Sequence, residues 1–524
     1  MQPMTAKEKR ILAGIVILGA LLRLLFLGSN PPALFRDEAE KGYNAWSLAT
    51  TGRDLSGQFL PLFINVFGVT TSAIYQYAAA PLMALAGPGE WTVRLPAALA
   101  GIATLALAFA LVRRERGNEA ALWAAAFLAL SPWHIPFSRW AQQGIFLPLF
   151  LTAAMLGWRR FLDGSRFGLP IAAVCLGLAL YSYEVARFFV PALTLLIAVL
   201  YWRELAKRWK QTLVSAALFA LVAAPTVRLL LFQNQAAQAR FNAISIFGDH
   251  AGFSEVAGRS IGNYLSHFSL SFLLMAGDGE LRHSAGIGML TAMELAAVCL
   301  GLGVMLRRRQ RADIVWLGWL ALAPVAASLT KVGIPHALRT IVALPAIQVV
   351  AGVGVESFLH HVRESRRDDA RRFMALAALA SFGPFAYIYF SLYPGRSAIN
   401  WQYGVKQALE VLREEGADSA NVVFYNVQGA EYLAPFYDKL PPRAYQSGGL
   451  AASRYRFPAF GALPEAVCTE LHGPTAIVTL PIFRFNCAVA GVPIEAPSSR
   501  QPAMVLYLND ALSRQWVPAD KASP

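Results

Sequence analysis

Eleven stretches of 15 to 22 mostly apolar residues run through the 524-residue chain, which marks it for a lipid solvent rather than water. They are Ile11 to Gly28, Trp91 to Val112, Glu119 to Ile135, Gly144 to Trp158, Phe167 to Tyr181, Phe188 to Trp202, Gln211 to Leu231, Gly288 to Leu306, Ile314 to Leu329, Thr340 to Phe358 and Phe373 to Tyr393. A membrane-crossing segment needs roughly 20 such residues, and in lipid its backbone must satisfy its own hydrogen bonds, so each stretch is expected to be a helix. Only 15% of residues are charged, where a soluble domain carries about 25%. This excludes an ordinary soluble enzyme. A further stretch, Ala73 to Ala86, is about 14 residues long and fits an interfacial or re-entrant helix.

The net charge of +14 is placed as a polytopic membrane protein places it. With a cytoplasmic N-terminus, the cytoplasmic pieces hold 22 Lys and Arg in 49 residues, and the opposite loops hold 10 in 142. Positive residues collect on the cytoplasmic side of membrane proteins. A nucleic-acid binder would instead show one continuous basic face, so nucleic acid is not an expected partner. Membrane lipids are. The expected fold class is therefore a polytopic α-helical membrane protein of about 11 transmembrane helices over residues 1–393. An odd number of crossings puts residues 394–524 outside, where "NVVFY", "TAIVTL" and "AMVLYL" read as strands and "NWQYGVKQALEVLREEG" as an amphipathic helix of a small α/β domain. Cys468 and Cys487 lie in the compartment where disulfides persist and are expected to pair. The first span is read as a retained anchor rather than a cleaved signal, since it lacks a clear small-x-small cleavage site and Arg23 interrupts it. Arg23 is expected to face a polar cavity or to snorkel outward.

The polar residues gather at the outer mouths of the spans. The first outer loop, residues 29–90, contains "DEAEKGYNAWSLATTG", read as a short helix stopped by Gly52. Asp37 suits two roles there: an N-cap with Glu40 three residues on, or a catalytic carboxylate beside Glu38. Arg139 comes from "FSRWAQQG", Tyr183, Glu184 and Arg187 from "YSYEVARFF", Asp278, Arg282 and His283 from "GDGELRHS", and Lys331, His336 and Arg339 from "TKVGIPHALRT". Any one of these is more often a solvated or snorkelling side chain than a functional one. Their common side is what transfer from an anionic donor requires: one group to take a proton, others to stabilise a leaving phosphate. The runner-up class, a transporter or a protein that binds a lipid-linked substrate without turnover, would show internal repeats or mid-span charges, and neither is evident.

The segments "RDEAEKGYNAWSLATTGRD", "EWTVRLPAALAG", "SPWHIPFSRWA", "GDGELRHS" and "IPHALRTIVALP" resemble those of bacterial relatives of protein O-mannosyltransferases and aminoarabinose transferases. These are membrane-embedded GT-C glycosyltransferases, similar to glycosyltransferase family 39, and the likeness covers roughly residues 5–400. It implies a GT-C-like transmembrane domain, a polyprenyl-phosphate-linked hexose or pentose as donor, and a lipid, glycan or protein acceptor on the outer face of the inner membrane. By the same resemblance, Asp37 or Glu38 is the general base, with Asp37 preferred. Arg139, Arg282, His283, His336 and Arg339 are candidates for the donor phosphate, and Tyr183, Glu184, Arg187, Asp278 and Lys331 line the cavity. No metal ligand is assigned. A divalent cation stays open, since "DGE" is DxD-like and Asp37, Glu38 and His283 suit hard coordination, but "FSRWAQQG" lacks the acidic pair that oligosaccharyltransferases of this superfamily carry.

Overall fold

The computed structural model describes residues 3–232, 244–247, 252–497 and 501–514. Each of the eleven apolar stretches contains helix. The first five helices are α1 (Ala6–Leu24), α2 (Arg36–Thr51), α3 (Ile74–Ala86), α4 (Glu90–Arg116) and α5 (Asn118–Ala129). Among the described residues, five helical segments are long and apolar enough to cross a membrane: α4, Gln143–Leu162, Trp209–Phe232, Ile341–His361 and Glu364–Arg396. Two expected spans are shorter than the apolar pattern suggested. The stretch Glu119 to Ile135 breaks after Ala129 and resumes at His134–Phe137, and Ile314 to Leu329 divides into Arg311–Leu322 and Val325–Ser328. Pro132 and Pro324 stand at the breaks, each lacking the N–H that would continue the helix.

Packing divides the chain into two units: Met1–Leu25, Leu62–Ile74 and Ala97–Tyr387 in the first, and Phe26–Pro61, Tyr75–Pro96 and Ile388–Pro524 in the second. The segment 394–524 thus falls in the second unit together with α2, most of α3 and the start of α4.

In the first unit, helices meet backbone to backbone through glycine. A Cβ on Gly301 would lie 1.9 Å from the Val350 carbonyl oxygen, one on Gly354 would lie 2.1 Å from that of Ala297, and one on Gly352 would lie 2.4 Å from that of Ala120. Lipid gives apolar side chains no reason to leave it, so close contact between small residues holds such helices together. Arg23 does not snorkel outward. It is fully buried, donating to the carbonyls of Gly19 (2.9 Å), Ala129 (3.2 Å) and Leu128 (2.9 Å), with His134 Nδ1 at 2.7 Å. The break at Pro132 explains this, because the last carbonyls of α5 have no intrahelical donor and the guanidinium supplies one. A hairpin absent from the sequence reading, β1 (Phe63–Val66) with β2 (Val69–Ser72), turns on Phe67 and Gly68, both at positive φ (51° and 74°), as a tight two-residue turn requires.

The second unit contains a five-stranded sheet. Strands β3 (Asn421–Phe424), β4 (Tyr455–Arg456), β5 (Thr475–Thr479), β6 (Ala488–Glu495) and β7 (Pro502–Asn509) are arranged in the order β4-β3-β5-β7-β6, the first three parallel and β7 antiparallel to both its neighbours. The helix Val405–Glu414 buries Val405, Ala408, Leu409 and Leu412, the one-sided spacing of an amphipathic helix. Cys468 and Cys487 are disulfide-bonded. Close packing at Gly42, where a Cβ would come within 2.6 Å of Val93 Cγ2, sets α2 against α4.

Gly354→Val should lower stability by about 3 kcal/mol or prevent assembly, because nothing flexible stands in the way of the new side chain. Gly14→Val, where a Cβ meets nothing within 4 Å, should leave the thermal midpoint unchanged. Equal midpoints for the two purified variants would contradict the backbone-contact account.

Candidate functional site

In the second unit the site begins at α2, whose N-cap is Phe35 in extended conformation. The Phe35 N–H donates to Glu38 Oε2 at 3.1 Å, so Glu38, not Glu40, reaches back to close the helix start, and Asp37 is not the cap. Arg94 of α4 holds the same carboxylate at both oxygens: Nε to Oε1 and Nη2 to Oε2, each at 2.9 Å. Its remaining N–H groups donate to the carbonyls of Leu27 (3.2 Å), Pro31 (2.8 Å) and Ala33. All five guanidinium donors are engaged. Both side chains are completely buried, and Trp401 lies over the guanidinium at 5.7 Å. Glu38 is thus held by Arg94 at both oxygens and by the Phe35 N–H, which fixes the loop at the start of α2.

Asp37 is differently placed. Its side chain is 32% exposed, and its carboxylate meets Arg36 Nε at 3.6 Å, beyond hydrogen-bonding distance. On the same helical face Glu40 is buried, its Oε1 accepting from Asn44 Nδ2 (2.9 Å) and Gln76 Nε2 (3.2 Å). Lys41 Nζ donates to the Asp37 carbonyl at 3.2 Å and stands 3.8 Å from Glu40 Oε2. Burial pushes the Glu40 carboxyl above its ordinary range; Lys41 opposes the push and the Asp37 charge adds to it.

In the first unit, the segments 277–283 and 330–339 come together at Asp278. Its Oδ2 accepts from the Ala337 N–H (2.8 Å) and meets His283 Nδ1 at 2.6 Å, while Oδ1 accepts from the Glu280 N–H (3.1 Å). Gly277 and Gly279 at positive φ make the turn, and a Cβ on Gly277 would lie 2.8 Å from the Ile287 carbonyl. The His283 and His336 rings are 4.8 Å apart, and Phe137 and Trp140 pack against His283 at 5.5 and 5.7 Å. His267, with Nδ1 on the Asn263 carbonyl at 2.8 Å, accepts the His336 N–H at Nε2 (3.1 Å). Burial, then the neighbouring His283, Arg339 and His267, hold the His336 imidazole well below its usual range, so it is neutral. Asp278, His283 and His336 each offer a ligand atom within 4.8 Å of the others, a donor set that a divalent transition metal accepts.

The structure thus brings Asp278, His283 and His336 together, with Arg339 close enough to influence His336. Arg339 donates to Thr330 Oγ1 and the Val332 carbonyl, both at 2.7 Å. Arg282 is held bidentately by Glu280 at 3.0 and 2.9 Å. Arg139 is buried, with Nη1 on the Leu22 carbonyl at 3.0 Å. Tyr183 and Glu184 lie between Gly168–Ser182 and Ala186–Leu200, with Glu184 exposed, Arg187 is in the first turn of the second of these helices, and Lys331 is exposed beside Ile244. Arg94, Lys41, Gln76 and His267 were missed in the sequence. Only Arg94 carried a signal, since a cation inside an apolar run demands a partner.

Arg94→Met should cost about 3–5 kcal/mol by leaving Glu38 buried and uncompensated, and adding Glu38→Leu should restore part of it; a strictly additive double variant would contradict the clamp. For Glu40, the folded state holds the proton more tightly than the unfolded chain. The linked stability is full below the ordinary carboxyl pKa of 4.5 and is lost as pH rises through the raised folded value. Glu40→Gln removes this loss, so its thermal midpoint should gain on wild type as pH rises from about 4.5 towards neutrality. A constant difference would contradict the burial of an ionisable Glu40.

Residues 71–227 match the family of dolichyl-phosphate-mannose-protein mannosyltransferases. No curated protein matches the sequence. The fold is similar to that of ArnT from Cupriavidus metallidurans in the apo state, with a TM-score of 0.60 at 13% identity over 97% of this chain and 99% of that one. For ArnT bound to undecaprenyl phosphate the TM-score is 0.57 at 13% identity over 99% and 100%. The apo oligosaccharyltransferase of Archaeoglobus fulgidus gives 0.50 at 12% identity over 82% and 63%. The likeness to that family thus covers residues 71–227, and the fold of nearly the whole chain is like that of ArnT.

Proposed function

We infer that the protein transfers a hexose or pentose from a polyprenyl-phosphate donor to an acceptor hydroxyl on the extracytoplasmic face of the inner membrane. In this reading the eleven apolar stretches cross the bilayer from a cytoplasmic N-terminus, residues 1–393 form the transmembrane domain and residues 394–524 an outer one. The observation that carries the reading is the division of labour in the acidic dipeptide: Arg94 holds both oxygens of Glu38, while the Asp37 carboxylate is partly exposed and carries only a loose contact. The shared fold with a protein that binds undecaprenyl phosphate supports the donor class.

An acceptor hydroxyl is a poor nucleophile near neutral pH and needs a positioned base. Asp37 takes its proton as the oxygen attacks the anomeric carbon, the bond from that carbon to the phosphate oxygen breaks on the opposite face, and the sugar configuration inverts. The leaving phosphate gains charge, which Arg139, Arg282, Arg339 and the imidazoles of His283 and His336 stabilise as fixed donors. Asp278 positions His283 and Ala337, and Tyr183, Glu184, Arg187 and Lys331 contribute at the cavity wall. No step requires a metal, although Asp278, His283 and His336 suit one. The acceptor is a lipid, glycan or protein hydroxyl.

Asp37→Asn should lower turnover by about 10²–10⁴-fold, with donor binding and thermal midpoint retained. Wild-type turnover in that variant, measured with a lipid-linked sugar donor, would remove Asp37 from the base role.

A further inference from the structure

Asp37, Glu40, Lys41 and Asn44 fall at i, i+3, i+4 and i+7 and make a polar stripe along one face of α2. Such a stripe normally faces water, with the apolar face buried. Here Glu40, Lys41 and Asn44 are all buried, and Gln76 of α3 is fully buried against Glu40. Asn44 is fully engaged, its amide on Glu40 and its oxygen accepting from the Leu55 N–H at 3.0 Å. The other three are not. Gln76 Oε1 is buried with no hydrogen-bond partner among the described residues. Among the described residues, Lys41 makes one hydrogen bond with its three N–H groups, and Glu40 Oε2 has only the 3.8 Å contact to Lys41. Buried polar groups with open capacity are rare in native proteins and call for an occupant.

We propose that Glu40, Lys41 and Gln76 form a subsite beside Asp37 that takes the hydroxyl groups of an uncharged sugar. The proposal rests on the glycosyl-transfer reading and deepens it by naming the substrate class. A sugar hydroxyl both donates and accepts, which matches an ammonium donor next to amide and carboxyl acceptors. An amino sugar would set its own ammonium against Lys41 and Arg36, the two cations flanking the acidic groups, so the subsite rejects a cationic donor sugar.

The test uses the full chain in lipid nanodiscs with polyprenyl-phosphate donors carrying a neutral hexose, a neutral pentose or an amino pentose, and with bare polyprenyl phosphate as a sugar-free probe. Wild type should favour a neutral over the amino donor at least tenfold in kcat/KM. Gln76→Leu should raise the KM for the neutral donor roughly tenfold with little change in kcat, and leave the affinity for bare polyprenyl phosphate unaltered. Lys41→Met should narrow the preference for the neutral donor, and Lys41→Arg should restore it; this pair decides the matter if Gln76→Leu does not fold. An unchanged KM, an equal loss of affinity for bare polyprenyl phosphate, or equal use of the amino donor by wild type would each overturn the subsite. Transfer from none of the donors by wild type would overturn the enzymatic reading itself, and the subsite with it.

Discussion

Arg94 organises the start of α2 because it uses every donor it has. Its guanidinium joins the Glu38 carboxylate to three carbonyls between Leu27 and Ala33, which ties the chain entering α2 to the start of α4. Neither charge could stay buried without the other, since an isolated ion far from water costs several kcal/mol. The consequence for chemistry is a separation of two adjacent carboxylates by environment alone. One is a structural anion with both oxygens held, and the other projects from the first turn of the same helix with open hydrogen-bonding capacity.

The same economy recurs in the first unit. Arg23 takes up carbonyls freed where Pro132 stops a helix, and Asp278 takes up the Ala337 N–H and a histidine across two loops. In each case a polar side chain supplies what a broken or irregular backbone lacks. A chain surrounded by lipid tolerates irregular segments only where protein groups complete them. Glycine contacts at Gly301, Gly352 and Gly354 provide the close helix packing that makes such completion possible.

Much of this was legible in the residues. Apolar run length marked where helix would form, and short runs of β-branched and aromatic residues marked β3, β5 and β7. Run length did not reveal the breaks at Pro132 and Pro324, where local backbone chemistry overrides composition. The dipeptide Asp37–Glu38 stood out, but which carboxylate was engaged depended on Arg94, 56 residues further on from Glu38. His267 and Gln76 gave no signal, since their positions matter only through contacts made in three dimensions. The hairpin β1–β2, with strands of four residues each, was not read from the sequence.

The central proposal is that Asp37 is the base that faces the reacting carbon of a lipid-linked sugar. An experimental structure of the full chain with a non-hydrolysable polyprenyl-phosphate sugar bound tests it most directly. The account predicts the Asp37 carboxylate beside the anomeric carbon, on the face opposite the bond to the phosphate. A donor bound with its sugar remote from Asp37 would contradict it.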